Sequence, residues 1–133
     1  MVLVDSSVWV DYFNGRATRE TDYLDTLLGT DPVAIGDLIL AEVLQGFRRD
    51  ADFAVAKELM ACLTLYDLLG ATLALKVAEN YCALRKRGVT VRKTADTIIA
   101  TFCIDRGIPL LYSDRDFDRF VKHLALKPAL PGP

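Results

Sequence analysis

The sequence predicts an α/β protein, a short parallel sheet covered by helices on both faces. Three observations predict it. Short apolar runs alternate with longer stretches whose apolar residues recur at helical spacing, as in strands buried on both sides and joined by helical crossovers. A chain of 133 residues, 52% apolar and 26% charged, is one domain with an ordinary globular core. There is no repeat, low-complexity run or internal linker, so residues 1–127 read as one domain and 128–133, rich in proline, as a flexible tail.

Val2-Leu3-Val4 is the first apolar run, ending at Asp5. Ser6 can cap the helix that follows, Val8 to Phe13, which Asn14-Gly15 stops. Thr18 caps a second helix with Tyr23, Leu24, Leu27 and Leu28 on one face and Gly29 at its end. Pro32–Ile35 reads as a second strand, after which Asp37 caps a helix through Leu40, Val43, Leu44 and Phe47. Phe53, Ala56, Met60 and Leu63 mark a fourth helix, and Leu63–Tyr66 suits a strand. A long helix carries Leu73, Val77, Tyr81 and Leu84, with Gly88 past its end. Thr94 caps the next, with Ile98, Ile99, Phe102 and Cys103 inward and Gly107 closing it. Ile108–Tyr112 is the clearest strand. Ser113-Asp114 ends it and opens a helix bearing Phe117, Phe120 and Val121, and Leu124–Leu126 suits a last edge strand.

Composition excludes several classes. Three cysteines, at 62, 82 and 103, are an odd number without C-x-x-C spacing, which fits reduced thiols in a cytosolic chain better than a disulfide framework. Asp5 stands where a signal peptide needs apolar residues, and no run approaches the roughly 20 apolar residues that span a bilayer, so a cytoplasmic location with no membrane partner is expected. The net charge of −2 argues on its face against a nucleic-acid partner.

In an open α/β sheet, ligands bind beyond the carboxyl ends of the strands. The polar residues expected there are nearly all acids: Asp5 after the first strand, and Asp114 with Asp116 after the strand at 108–112. Glu42 lies in Leu38-Ile-Leu-Ala-Glu-Val-Leu44, a context that partly buries it and demands a cation or strong donors. Asp96 shares a helix face with Ile99, Ala100 and Cys103. Each acid alone has a plainer reading. Asp5 and Asp114 suit helix caps, Asp96 suits the helix dipole, and Glu42 can snorkel to solvent. Asp118 competes with Asp116, which is nearer the strand end. Together they would crowd carboxylates into one pocket, where mutual repulsion requires a counter-charge. Mg²⁺ or Mn²⁺ supplies it with oxygen ligation, which is the equipment for phosphodiester hydrolysis.

The sole histidine, His123, lies in a late helix, which argues against a His-based triad or zinc site, and no phosphate-binding glycine loop follows the first strand. Arg85-Lys86-Arg87 and Arg92-Lys93 form an acid-free stretch running into Asp96. It reads as a phosphate-backbone guide for RNA or as an ordinary solvated helix end, and Arg48-Arg49 could add to it. Removing Asp5, Glu42, Asp96 and Asp114 from the 18 acids leaves fewer acids than the 16 basic residues, so the net −2 averages two segregated populations.

Val2-Leu-Val-Asp5-Ser-Ser7, Leu40-Ala-Glu42-Val, Thr94-Ala-Asp96-Thr-Ile-Ile-Ala100 and Leu111-Tyr-Ser-Asp114-Arg-Asp116-Phe117 together resemble the PIN-domain ribonucleases, and most the VapC-type toxins of bacterial toxin–antitoxin pairs. The resemblance covers essentially the whole chain, in order and at matching spacing. It implies a three-layer α/β/α fold with a short central parallel sheet and an Mg²⁺- or Mn²⁺-dependent endoribonuclease of structured or single-stranded RNA. Asp5, Glu42, Asp96 and Asp114 match the acidic quartet, and Asp116 a frequent fifth acid. Ser7 matches the small hydroxyl residue that orients the site, and Ser113, beside Asp114, joins it as an expected support. Ser6 stands where threonine is commoner. The resemblance also implies a homodimer and a VapB-type antitoxin that covers the site. Apolar faces at Tyr12, Phe13, Tyr23, Phe47 and Phe53 suit those contacts or plain core. A housekeeping RNA-processing nuclease would carry the same acids. A receiver-type phosphoacceptor domain would instead need an acceptor aspartate after a central strand, for which only Asp50 and Asp52 are available, and paired acids after the first strand.

Overall fold

The computed structural model describes residues 1–131. Four parallel strands form one sheet in the order β3-β2-β1-β4, with β1 Val2–Val4, β2 Val33–Gly36, β3 Thr64–Tyr66 and β4 Leu110–Leu111. Val2 pairs with Val33, Leu3 with both Ala34 and Leu110, and Val4 with Leu111. Every residue of β1, β2 and β4 is buried, as expected of strands covered on both faces. The helices are α1 Ser6–Phe13, α2 Arg19–Thr30, α3 Asp37–Gln45, α4 Asp50–Ala61, α5 Ala71–Lys86, α6 Thr94–Arg106 and α7 Asp118–Leu124. Helices α1 to α4 pack in one series and α5 with α6 in another, giving the expected three-layer α/β/α arrangement. Leu3, Trp9, Ile35, Ile39, Ile99, Leu110, Phe117 and Phe120 fill the core between them. Among the described residues, no helix is long and apolar enough to cross a membrane.

Several boundaries differ from the expectation. Asp5, not Ser6, caps α1: its backbone is still extended and its carboxylate accepts the Ser7 amide. At α3 the cap is Gly36, while Asp37 begins the helix and accepts the amides of Leu38 at 2.8 Å and Leu68 at 3.1 Å. That contact brings Leu68 over Gly36, where a Cβ would stand 2.3 Å from Leu68 Cδ1, so only glycine fits. At α6 the cap is Lys93, without a side-chain bond, and Thr94 is already helical. Helix α2 runs one residue past Gly29.

The strand expected over Ile108–Tyr112 contracts to Leu110–Leu111. Gly107, in the left-handed region at φ 65°, closes α6, and the Ile108 amide is used in donating back to the Cys103 carbonyl. Pro109 has no amide to offer. The edge strand expected at Leu124–Leu126 does not form, because α7 runs through Leu124 and Ala125, at φ 65°, ends it. The pairing falls instead on residues 127–129: Leu110 donates to the Lys127 carbonyl and Ala129 to the Leu110 carbonyl, both at 2.9 Å. The expected flexible tail is therefore bonded to the sheet edge at its start, and Arg19 donates to the Pro131 carbonyl at 2.7 Å. Gly132 and Pro133 lie outside the described residues.

Candidate active site

Asp5 follows β1 and donates its amide to the Leu111 carbonyl at 2.9 Å, so the ends of the neighbouring strands β1 and β4 are locked in register. Ser7 ties them further. Its hydroxyl donates to Asp5 Oδ2 at 2.6 Å and accepts the amides of Ser113 at 3.2 Å and Asp114 at 3.4 Å. Ser7 thus braces both acid-bearing strand ends. Ser113 takes part through its backbone amide; among the described residues its hydroxyl has no hydrogen bond.

Beyond β4, Asp114 Oδ1 accepts the Asp116 amide at 3.0 Å, capping a short 3₁₀ turn over Arg115–Phe117. Asp96 reaches the same edge from the first turn of α6. Carboxylate oxygens of Asp96, Asp114 and Asp116 lie within 4.8 Å of one another. Asp118 is not among them; it accepts the Tyr112 hydroxyl at 2.7 Å and pairs with Arg115. Of Asp116 and Asp118, the structure brings Asp116 to Asp96 and Asp114.

Glu42 faces this group from α3. Its Oε1 is buried with no hydrogen-bond partner, a costly state for a carboxylate oxygen unless a cation meets it. Asp5 is 3% exposed and Asp96 8%. Burial, aided by the charges of Asp5 and Asp114, pushes the Asp96 carboxyl up to about 6. Burial also raises Asp5, against which the Ser7 hydroxyl works, and Asp114 adds repulsion. Glu42 is raised by burial and by Asp5. Lys93 opposes the shift at both Glu42 and Asp96, so this basic rim residue acts on the acids as a built-in counter-charge. Beneath the site, the Cys103 thiol is pushed up to about 12 by burial and by Asp5.

The basic stretch divides. Lys93 acts on Glu42 and Asp96, and Arg92 pairs with Asp116 at 3.5 Å. Arg85, Lys86 and Arg87 are exposed where α5 ends; Arg85 lies over the Tyr81 ring and Arg87 beside His123. Arg48 and Arg49 are exposed before α4. Sequence reasoning missed Arg119, which pairs with Asp116 at 3.5 Å; the only signal was its spacing of three residues from Asp116, across the start of α7. Asp50 and Asp52 lie in the first turn of α4, not at a strand end, so a receiver-type phosphoacceptor arrangement does not form. Of the five aromatics, Tyr12, Phe13, Tyr23 and Phe47 pack half-buried against the core, with Phe13 edge-on to Phe47 at 5.4 Å, and Phe53 is exposed.

The donor set suits a hard divalent cation: mutually close carboxylate oxygens of Asp96, Asp114 and Asp116, with a buried, unpartnered Glu42 oxygen facing them. Asp96, Asp114 and Asp116 would hold it, with Glu42 and Asp5 facing it.

Comparison with known proteins bears on the family and the fold. A VapC ribonuclease of Mycobacterium bovis and ribonuclease VapC11 of Mycobacterium tuberculosis are each 30% identical to the chain over 120 residues, covering 89% of it and 90% of the relative. The solved structure of VapBC2 from Rickettsia felis, bound to a promoter DNA fragment, superposes with a TM-score of 0.75 at 18% identity, covering 96% of this chain and 97% of that one. VapC20 of Mycobacterium tuberculosis, a toxin that cleaves the sarcin–ricin loop, superposes at 0.69 with 16% identity, covering 96% of this chain and all of that one. The PIN-domain profile matches residues 2–122, a span that includes all five acids at the sheet edge, and the chain belongs to the PIN-domain family, on its VapC branch.

Proposed function

We propose that the chain is an Mg²⁺- or Mn²⁺-dependent endoribonuclease, the toxin of a VapBC-type pair, held inactive by its antitoxin. The observation that carries this is the convergence of Asp5, Glu42, Asp96, Asp114 and Asp116 on one sheet edge, with a buried, unpartnered Glu42 oxygen. The mycobacterial relatives are named as ribonucleases, which supports the substrate class. The bound metal would supply a Lewis acid for the phosphate and a water acidic enough to attack at neutral pH. The chain's own residues do the rest. Asp96, Asp114 and Asp116 offer the ligand oxygens. Glu42, held above the usual carboxylate range, can orient the attacking water or take its proton. Ser7 keeps Asp5 and the Asp114 backbone in fixed relation. Arg92 and Lys93, beside the acids, are the basic residues available to meet phosphates flanking the cut.

An antitoxin would need an apolar seat near the acids. Phe13, Phe47 and the exposed Val10 line an apolar cleft between α1, which follows Asp5, and α3, which carries Glu42. A homodimer would bury some of the apolar surface left open at Leu65, Leu69 and Leu75. A housekeeping RNA-processing role uses the same site and differs by its partner: a short adjacent open reading frame encoding an inhibitor supports the toxin. The decisive assay compares wild type with Asp96→Asn on structured RNA in Mg²⁺, Mn²⁺ and EDTA. Wild type should cut only with metal and the variant not at all. Cleavage that survives both EDTA and the substitution sinks the proposal.

A further inference from the structure

Residues 87–93, between α5 and α6, carry most of the basic rim, and the C-terminal part of the chain fastens them. Arg119 Nη1 donates to the Thr90 carbonyl at 2.8 Å, and its Nη2 pairs with Asp116 Oδ1 at 3.5 Å. The other Asp116 oxygen pairs with Arg92 Nη2 at 3.5 Å. Arg87 Nη1 lies 3.5 Å from His123 Nδ1. One guanidinium therefore touches both the loop's backbone and the outermost acid of the cluster. The two arginines differ in commitment. The Arg119 side chain is 33% exposed and spent on protein contacts, whereas that of Arg92 is 77% exposed, with one of its five donors engaged by Asp116.

We propose that Arg119 is a positioning residue for RNA: it holds the 87–93 loop against Asp116, so that Arg92 stands ready to take a substrate phosphate beside the acid cluster. The inference rests on the ribonuclease reading above. A free loop would have to be ordered when RNA binds, and that cost would weaken binding; a fastened loop has met it in advance. Arginine suits the task because its planar fork serves two acceptors at once, here a carbonyl and a carboxylate, which a lysine ammonium on one flexible stem does less well. Asp116 is the shared anchor; losing Arg119 frees the loop backbone at Thr90 and leaves Arg92 held only by its own pairing with Asp116.

The test has two arms, both on the full chain. In steady-state cleavage of a single-stranded RNA with Mg²⁺, Arg119→Ala should raise KM about three- to tenfold and leave kcat within about twofold, with Arg119→Lys between it and wild type. Unchanged KM, or a fall in kcat alone, overturns the proposal. The second arm needs no cleavage: fluorescence anisotropy of a short labelled RNA on the Asp96→Asn background, across salt concentrations. Arg119→Ala should flatten the plot of log affinity against log salt by about 0.7, one single-strand phosphate contact, as Arg92→Ala does. Combining the two substitutions should add little beyond either. Multiplying effects would show that Arg119 does not act through Arg92. An inactive wild type would defeat the ribonuclease reading in the first arm while the second still decides the role of Arg119; an RNA that does not bind defeats both.

Discussion

Replacing Asp96 with asparagine should make the metal-free protein more stable as it removes activity. The Asp96 carboxyl starts from 3.8 and is pushed up to about 6 by burial and by Asp5, Asp114 and Asp116. Below pH 3.8 it is protonated folded and unfolded, and costs nothing. Between there and pH 6 the unfolded chain ionises first, so stability falls as pH rises; above pH 6 the full penalty applies. At 1.36 kcal/mol per pH unit, that interval amounts to about 3 kcal/mol. Asp114 and Asp116 are partly open to water and salt, which reduces the expected gain from Asp96→Asn to about 1–2 kcal/mol at pH 8. For a chain of this size that is an increase in Tm of about 3–10 °C. The measurement is urea unfolding of both proteins in EDTA at pH 8 and again near pH 4. The gap should be present at the first and nearly closed at the second. A variant less stable than wild type at pH 8, or a gap indifferent to pH, would refute the electrostatic account of the site.

The remaining tests probe its supports. Mg²⁺ should raise the Tm of wild type, by about 2.7 kcal/mol of stabilisation at a hundredfold excess over the dissociation constant, and much less that of Asp96→Asn; equal shifts in scanning fluorimetry would place the ion elsewhere. Ser7→Ala leaves Asp5 Oδ2 and two backbone amides without their hydroxyl partner, so it should cost about 1–2 kcal/mol in urea unfolding and at least about tenfold in cleavage rate. Gly36→Ala places a Cβ into Leu68 and should lower stability by about 1–3 kcal/mol without touching an acid; an unchanged urea midpoint would contradict the packing at β2. Iodoacetamide at pH 8 should modify the exposed Cys62 but spare the buried Cys103 until the protein is unfolded, as read by peptide mass.

How far the site could be read from sequence depended on what positioned each residue. Asp5 and Asp114 were legible because both follow buried strands, and parallel strands deliver their ends to one edge. Asp96 and Glu42 were legible because each is an acid on an otherwise apolar helix face. The errors arose where two local signals competed for the same backbone. Ser6 and Asp5 are both capping residues, and the strand ending at Val4 left the cap to Asp5. Ile108 and Pro109 belong by composition to a strand, yet the cap of α6 consumes one amide and proline lacks the other. Arg119 was illegible for a different reason. On α7 it is one basic residue among several, and its carbonyl partner, Thr90, lies 29 residues away in sequence. No helical periodicity can signal that contact.

The net charge of −2 has a physical meaning once the site is placed. Acids that raise one another's pKa destabilise the fold that gathers them, and a cluster retained against that cost needs a compensating role. Lys93 offsets part of the repulsion at Glu42 and Asp96, and Arg92 with Arg119 part of it at Asp116, but the Glu42 oxygen has no partner. The built-in cations therefore sit at the rim, not inside. That arrangement leaves the interior of the cluster for a cation from solution and turns the basic side chains outward, where a polyanion would meet them. A chain that is acidic in total can thus present a basic approach to an acidic centre, and the sign of its net charge does not argue against RNA.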